Sequence, residues 1–146
     1  MTVTGFNHFN VSVADMDAAV AFWRDGLGLQ LLGRGTVSYS HLDTIVGLDE
    51  TTIEWAELDL PGGGLIELFR YAAPAAAPIT PAVNQPGTTH FAIEVDDLAI
   101  VLEQVRPYCR RIVSDPVNIP FGDWQGWLCV YVEESNGVTV ELLQRS

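Results

Sequence analysis

Gly5-Phe6-Asn7-His8-Phe9-Asn10-Val11-Ser12-Val13-Ala14-Asp15 and Gly87-Thr88-Thr89-His90-Phe91-Ala92-Ile93-Glu94-Val95-Asp96-Asp97 align without a gap when the chain is laid on itself. Five of the eleven positions are identical: Gly5/Gly87, His8/His90, Phe9/Phe91, Val13/Val95 and Asp15/Asp97. Two of the three histidines of the chain fall inside the match, so the sequence reads as a duplicated module. Each copy opens with an alternating strand and ends on an aspartate suited to accept the free N–H groups of a helix's first turn. After Asp15, the residues Met16, Ala19, Val20, Trp23 and Leu27 recur at helical spacing, and after Asp97 so do Leu98, Val101, Leu102 and Val105, until Pro107 stops the helix.

Downstream of each helix the pattern changes to period two. The first copy then offers strands at Leu29–Leu32, Ile53–Leu60 and Leu65–Tyr71; the second offers Arg111–Ser114, Trp127–Glu133 and Val138–Gln144. Each module is therefore βαβββ, and the fold class is α+β with two such modules in tandem. The expected boundaries are 5–71 and 88–144, joined by a Pro/Ala linker over 72–87 that carries Pro74, Pro78, Pro81 and Pro86. Two other stretches read as irregular, Gly33–Thr52 with a helical turn near His41–Val46, and Asp115–Gly126. Asn136-Gly137, between two alternating runs, signals a tight hairpin in which both residues tolerate positive φ.

The 146 residues are 48% hydrophobic and 18% charged, which fits one compact domain and fits neither disorder nor coiled coil. Seven arginines and no lysine face nineteen acidic residues, for a formal net charge of −12. Nucleic acid and anionic membrane are accordingly excluded as expected partners. No apolar run has the length of a membrane span, and MTVTGFNHFN lacks the basic-then-apolar order of a secretion signal, so a cytoplasmic location is expected. Cys109 and Cys129 are too few for a disulfide framework, lack metal-type spacing, and read as buried small hydrophobes.

Strand alternation decides where the polar groups point. Phe9, Val11 and Val13 share one face of the first strand, and Phe91, Ile93 and Val95 share one face of its sister; these faces must pack on the helices. His8 and His90 then point the other way. Glu67 shares its face with Leu65 and Phe69, and Glu141 with Thr139 and Leu143, so each carboxylate sits among apolar neighbours and needs a partner. A divalent metal explains all four residues together: two imidazoles and two carboxylates suit Zn²⁺, Ni²⁺, Co²⁺, Fe²⁺ or Mn²⁺. One His and one Glu from each module would converge at the junction, within one chain or across a swapped pair. Glu54, Glu57, Glu94 and Glu103 read as carboxylates on solvated faces. His41 has no mate in the repeat and reads as a surface or pocket-lining residue able to touch substrate. Phe121, Trp124 and Trp127 admit two readings, an aromatic wall over the pocket or core residues at the start of a strand.

These residues carry a family resemblance over nearly the whole chain, Gly5 to Gln144. Besides the two histidine strands, it rests on Ala21-Phe22-Trp23-Arg24-Asp25-Gly26-Leu27-Gly28-Leu29, Leu65-Ile66-Glu67-Leu68 and Gly137-Val138-Thr139-Val140-Glu141-Leu142. The chain resembles the vicinal oxygen chelate superfamily of glyoxalases, methylmalonyl-CoA epimerases, extradiol dioxygenases and fosfomycin- or bleomycin-resistance proteins. The resemblance implies a cup-shaped mixed sheet with helices on its convex face, a metal at His8, Glu67, His90 and Glu141, and association as a homodimer.

The resemblance leaves the reaction open. Dioxygenase members hold iron with two histidines and one glutamate, and the added Glu67 would crowd that chemistry. Epimerases and glyoxalases instead draw a proton from carbon beside a carbonyl while the metal stabilises the enediolate. Two carboxylates related by pseudo-symmetry, Glu67 and Glu141, suit epimerisation, with one acid–base group on each face of the carbanion. Because glutathione conjugates and CoA thioesters are anionic, the charge balance favours a neutral, polyhydroxylated ketone, despite the cluster Arg106, Arg110 and Arg111. The expected function is a metal-dependent epimerase on a small cyclitol-type ketone, by analogy with 2-epi-5-epi-valiolone epimerases. The alternatives are a glyoxalase-type lyase, a methylmalonyl-CoA epimerase, and an antibiotic-binding resistance protein without catalysis.

Overall fold

A computed structural model describes residues 2–146. The first half runs β1 (His8–Ser12), α1 (Met16–Val20), a π-helical stretch Ala21–Gly26, β2 (Leu31–Val37), α2 (Ser40–Val46), β3 (Thr52–Asp59) and β4 (Leu65–Ala73). The second runs β5 (His90–Glu94), α3 (Leu98–Val105), β6 (Cys109–Ile112), the two-residue β7 (Val117–Asn118), β8 (Leu128–Glu134) and β9 (Thr139–Gln144). Strand order is β1-β4-β3-β2 in one sheet and β5-β9-β8-β6 in the other, with β7 also paired to β8. In both, the leading strand is parallel to the last, β1 to β4 and β5 to β9, and the remaining pairs are antiparallel. The α+β class is as expected, but the strands form two sheets rather than one, because β1 and β5 are both edges and do not pair with each other.

The aspartates cap as the sequence predicts: Asp15 accepts from the Ala18 N–H at 3.0 Å and Asp97 from the Ile100 N–H at 3.1 Å. The first helix departs from expectation after Val20, where its bonds widen to five residues, as in Leu27 N–H to Phe22 C=O at 3.0 Å. Phe22 and Trp23 are both fully buried in that stretch. Trp23 stacks on Phe91 with centroids 5.4 Å apart, and Phe91 meets Phe9 at 4.4 Å. The helix-side faces of both sheets thus share one core, including Val11, Leu68, Leu102, Val130 and Leu142.

Other boundaries move for identifiable reasons. β2 starts two residues late and runs on through Gly33 and Gly35, where a Cβ would lie 3.1–3.2 Å from the Trp55 ring. The indole covers both glycines, and the pairing of β2 with β3 shifts register between Leu31 and Gly33. β6 begins at Cys109 rather than Arg111, and its pairing with β8 shifts register between those residues.

The Asn136-Gly137 turn is also built differently. Only Gly137 has positive φ, at 90°, and its N–H donates to the Glu134 carbonyl at 2.8 Å. This is a type I turn followed by a left-handed glycine, the three-residue hairpin loop. It releases the Asn136 side chain to act as a clasp. Its Oδ1 accepts from the Ala14 N–H at 2.7 Å and the Asp15 N–H at 3.2 Å, while its Nδ2 and backbone N–H each donate to the buried Glu134 carboxylate at 2.7 Å. Burial pushes Glu134 above the usual carboxylate range, against the opposing pull of Ser135 and Asn136. Asn136→Ala is expected to cost about 2–3 kcal/mol in urea unfolding, since it leaves two backbone donors and a buried carboxylate short of partners. An unchanged midpoint would show that water replaces the clasp.

Glu54 is not on a solvated face. Its carboxylate accepts from Arg34 Nη2 at 2.5 Å and Arg70 Nε at 2.7 Å, and Arg34 also reaches Asp17 at 2.6 Å. The two guanidinium groups, Arg34 first, hold Glu54 below the ordinary carboxylate range. A depressed folded value stabilises the fold above the unfolded value, near about 4.3, and that contribution is lost as pH falls through the folded value. Arg34→Gln is therefore expected to raise the acid-unfolding midpoint followed by circular dichroism. The arginines are over a third exposed, so solvent screening keeps the effect small.

Candidate metal centre

β1 lies beside β4 with Asn10 opposite Glu67, and β5 lies beside β9 with Ala92 opposite Glu141. Parallel pairing puts each histidine two residues back from that register point and on the same face as the glutamate. His8 Nε2 stands 3.5 Å from Glu67 Oε2, and His90 Nε2 stands 3.3 Å from Glu141 Oε2. Each carboxylate is sheltered, at 19% and 18% side-chain exposure, while the imidazoles are 44% and 48% exposed. A ligand therefore has access from the histidine side.

The surroundings of the two pairs differ. Near Glu67, the Asn10 amide donates to Oε2 at 3.1 Å, and His8 Nδ1 is 2.7 Å from Asn7 Oδ1. That contact orients the ring with Nε2 toward the carboxylate. Near Glu141, the Cys129 thiol donates to Oε1 at 3.0 Å, and the Tyr131 hydroxyl lies 3.3 Å from His90 Nε2. Burial pushes the Cys129 thiol up to about 12, with Glu141 adding to the effect. Cys129 is thus a half-buried hydrogen-bond donor rather than an inert hydrophobe. Burial, with Glu141 and then Cys129, also raises Tyr131, which stays a neutral phenol at ordinary pH. Glu57 occupies the place opposite Glu67 that Tyr131 holds opposite Glu141. None of Asn7, Asn10, Cys129, Tyr131 and Glu57 was marked as a site residue by motif; the period-two spacing of Cys129 and Tyr131 in β8 was the available signal.

Two donors each about 2.1 Å from one ion lie about 3.0–3.4 Å apart at right-angled or tetrahedral geometry. Both His–Glu spacings are close to that range, so each pair fits as two neighbouring ligands of a divalent ion. Among the described residues, no group of three or more His, Cys, Asp or Glu side chains is placed to hold a metal ion. His8, Glu67, His90 and Glu141 are brought together as two half-sites, not as a quartet within the chain.

The aromatic residues lie elsewhere. Phe121 and Trp124 are exposed in the turns before β8, and Trp127 lies under the Arg145 guanidinium at 4.9 Å, with Arg145 bonded to Glu94 at 2.8 Å. His41 is exposed on α2 and packs on Tyr39 at 4.4 Å. None of the four lines the groove of about 640 Å³ that runs from β1 past His90 under the linker. Glu94 and Glu103 are paired on the surface, with Arg145 and Arg106. No helix among the described residues is long and apolar enough to cross a membrane.

A paired βαβββ architecture with one His–Glu couple in each half defines a class, and the family comparison agrees: the Glyoxalase/Bleomycin resistance protein/Dioxygenase superfamily model matches residues 5–142. The chain belongs to that superfamily. It is 30% identical to a 2-epi-5-epi-valiolone epimerase from Actinomyces sp over an alignment 147 positions long, gaps included, covering 94% of this chain and 77% of that protein. Among solved structures, a glyoxalase family protein from Bacillus cereus superposes with a TM-score of 0.83 at 23% identity, covering 94% of this chain and 91% of that one. A glyoxylase/bleomycin resistance protein/dioxygenase domain from Frankia sp. EAN1pec gives 0.66 at 17%, with 99% and 100% covered. These structural likenesses establish the fold.

Proposed function

We propose that the chain is a divalent-metal-dependent epimerase acting on a small polyhydroxylated ketone of the cyclitol type. The observation that carries the reading is the pair of sheltered carboxylates, each with an imidazole at ligand spacing. Because each half-site has only two donors, we place the complete centre in a homodimer. There His8 and Glu67 would join His90 and Glu141 of the partner subunit. A bound divalent ion would supply Lewis-acid stabilisation of the charge that develops on the substrate oxygen. Glu67 and Glu141 are the acid–base groups that remove and return a proton on carbon, and Asn10 and Tyr131 are polar groups beside them that can orient hydroxyls.

The identity to an epimerase supports the reaction class, and charge supports the substrate class. Among the described residues, six of the seven arginines, all but Arg110, are within 4.0 Å of a carboxylate. Little cationic surface is left for a thioester or glutathione tail, so a neutral ketone is the better match.

The test is metal analysis of untagged protein reloaded with Ni²⁺, Co²⁺, Zn²⁺ or Mn²⁺, followed by 2-epi-5-epi-valiolone in D₂O. One ion per quartet and deuterium uptake at the carbon beside the carbonyl are expected. Failure to bind any of the four ions rejects the enzyme reading. Tight binding of an aromatic antibiotic, indifferent to chelator and without turnover, would replace it with a sequestering role.

A further inference from the structure

Arg110 is the arginine that the ion pairs among the described residues leave over, in a chain where acidic residues far outnumber basic ones. Its placement follows from an irregularity in β6. Cys109 pairs with Glu134 and Arg111 with Glu133, so Arg110 is an extra residue, a bulge. Strict alternation would turn Arg110 and Arg111 to opposite faces. Instead Cys109 and Ile112 both pack against the core, and the two arginines between them are both exposed on the other side.

Both arginines line a cleft of about 510 Å³ whose far wall is the linker segment 80–84. Arg110 Nη1 lies against the hairpin glycine, 3.5 Å from where a Cβ on Gly137 would stand. The acidic side chain lining the cleft is Glu133, which accepts from Arg111 Nη2 at 2.6 Å. That bond takes one of the five N–H donors of Arg111, and those of Arg110 meet no carboxylate among the described residues. Two guanidinium groups against one carboxylate leave the cleft positive within a strongly acidic chain.

We propose that this cleft binds the phosphate group of a small molecule, with Arg110 and Arg111 as its anchors. A tetrahedral phosphate has oxygens enough to accept from both guanidinium forks at once, whereas a planar carboxylate fills one. An extended polyanion is opposed by the net charge of −12, so a single phosphate group is the match. The cleft is larger than the ion, and Pro81 and Val83 offer an apolar wall to whatever carries it. His90, Thr139, Glu133 and Arg111 follow one another across four paired strands, three strand spacings or about 14 Å. A small ketone held at a His–Glu pair does not reach that far, so the site is separate from the proposed centre and does not rest on the epimerase reading.

Calorimetric titration of the whole chain at low salt with glucose 6-phosphate, inorganic phosphate, acetate and glucose tests the site. One phosphate per chain is expected, with no binding of glucose and acetate about tenfold weaker or worse. Arg110→Ala should weaken phosphate binding about tenfold or more, the loss of a charge-assisted bond. Arg24→Ala, which removes an exposed arginine held by Asp25, should leave it unchanged, as should treatment with a chelator. Tighter binding of glucose 6-phosphate assigns the site to a monoester and equal affinity assigns it to the free ion; either supports it. No saturable binding, equal losses in the two arginine variants, acetate as good as phosphate, or loss on chelation would each overturn it. So would a changed oligomeric state in Arg110→Ala with phosphate binding intact, which would give the guanidinium to a second copy of the chain.

Discussion

Chains carrying His8→Ala and chains carrying His90→Ala are each expected to bind no metal and show no exchange, and mixing them is expected to restore about a quarter of the wild-type sites. Removing one imidazole would leave three donors spread over two subunits, and the carboxylate of that pair, 3.3–3.5 Å from the lost nitrogen, would have no second imidazole beside it. In a mixed dimer, one composite site collects both alanines and the other collects neither. Half the dimers are mixed and half their sites intact, which gives the quarter. Metal content and exchange rate after mild unfolding and remixing of the two variants provide the measurement. Recovery of metal with no activity would separate binding from catalysis; no recovery at all would argue that each chain completes its own centre.

Glu67→Gln is expected to lower exchange by about 10²-fold or more while retaining part of the metal affinity, the signature of a lost general base. The amide keeps an oxygen for the half-site and the hydrogen bond from Asn10, but cannot hold a proton taken from carbon. Full exchange in this variant would transfer the proton abstraction from Glu67 to Glu141. His8→Ala and Glu67→Gln thus separate two roles within one pair: the first removes the ion and the rate together, the second chiefly the rate.

The faces on which His8, Glu67, His90 and Glu141 stand were legible from the chain alone because strand alternation is local. Once Phe9 and Phe91 are assigned to the core, His8 and His90 must face the other way, and the same logic orients Glu67 and Glu141. The repeat added a reason to group them. The residues that modify the pairs were not legible, since their roles depend on neighbours brought in by strand pairing. Cys129 looked like a small apolar residue until β8 placed its thiol 3.0 Å from Glu141. Glu54 looked solvated until β2 and β4 delivered an arginine on either side.

Asn136 shows the same limit over a longer span. Its dipeptide announced a turn, yet its bond to the Ala14 N–H joins residues 122 apart. What the sequence determined by itself was the doubled βαβββ plan, the capped helices and the face on which each imidazole and carboxylate stands, because these follow from backbone periodicity within a few residues. Tertiary structure alone decided that β1 and β5 remain separate edges and that the two imidazoles and two carboxylates meet in pairs. Those outcomes depend on how the two modules pack around Trp23, Phe9 and Phe91, a contact between distant parts of the chain that no local pattern encodes.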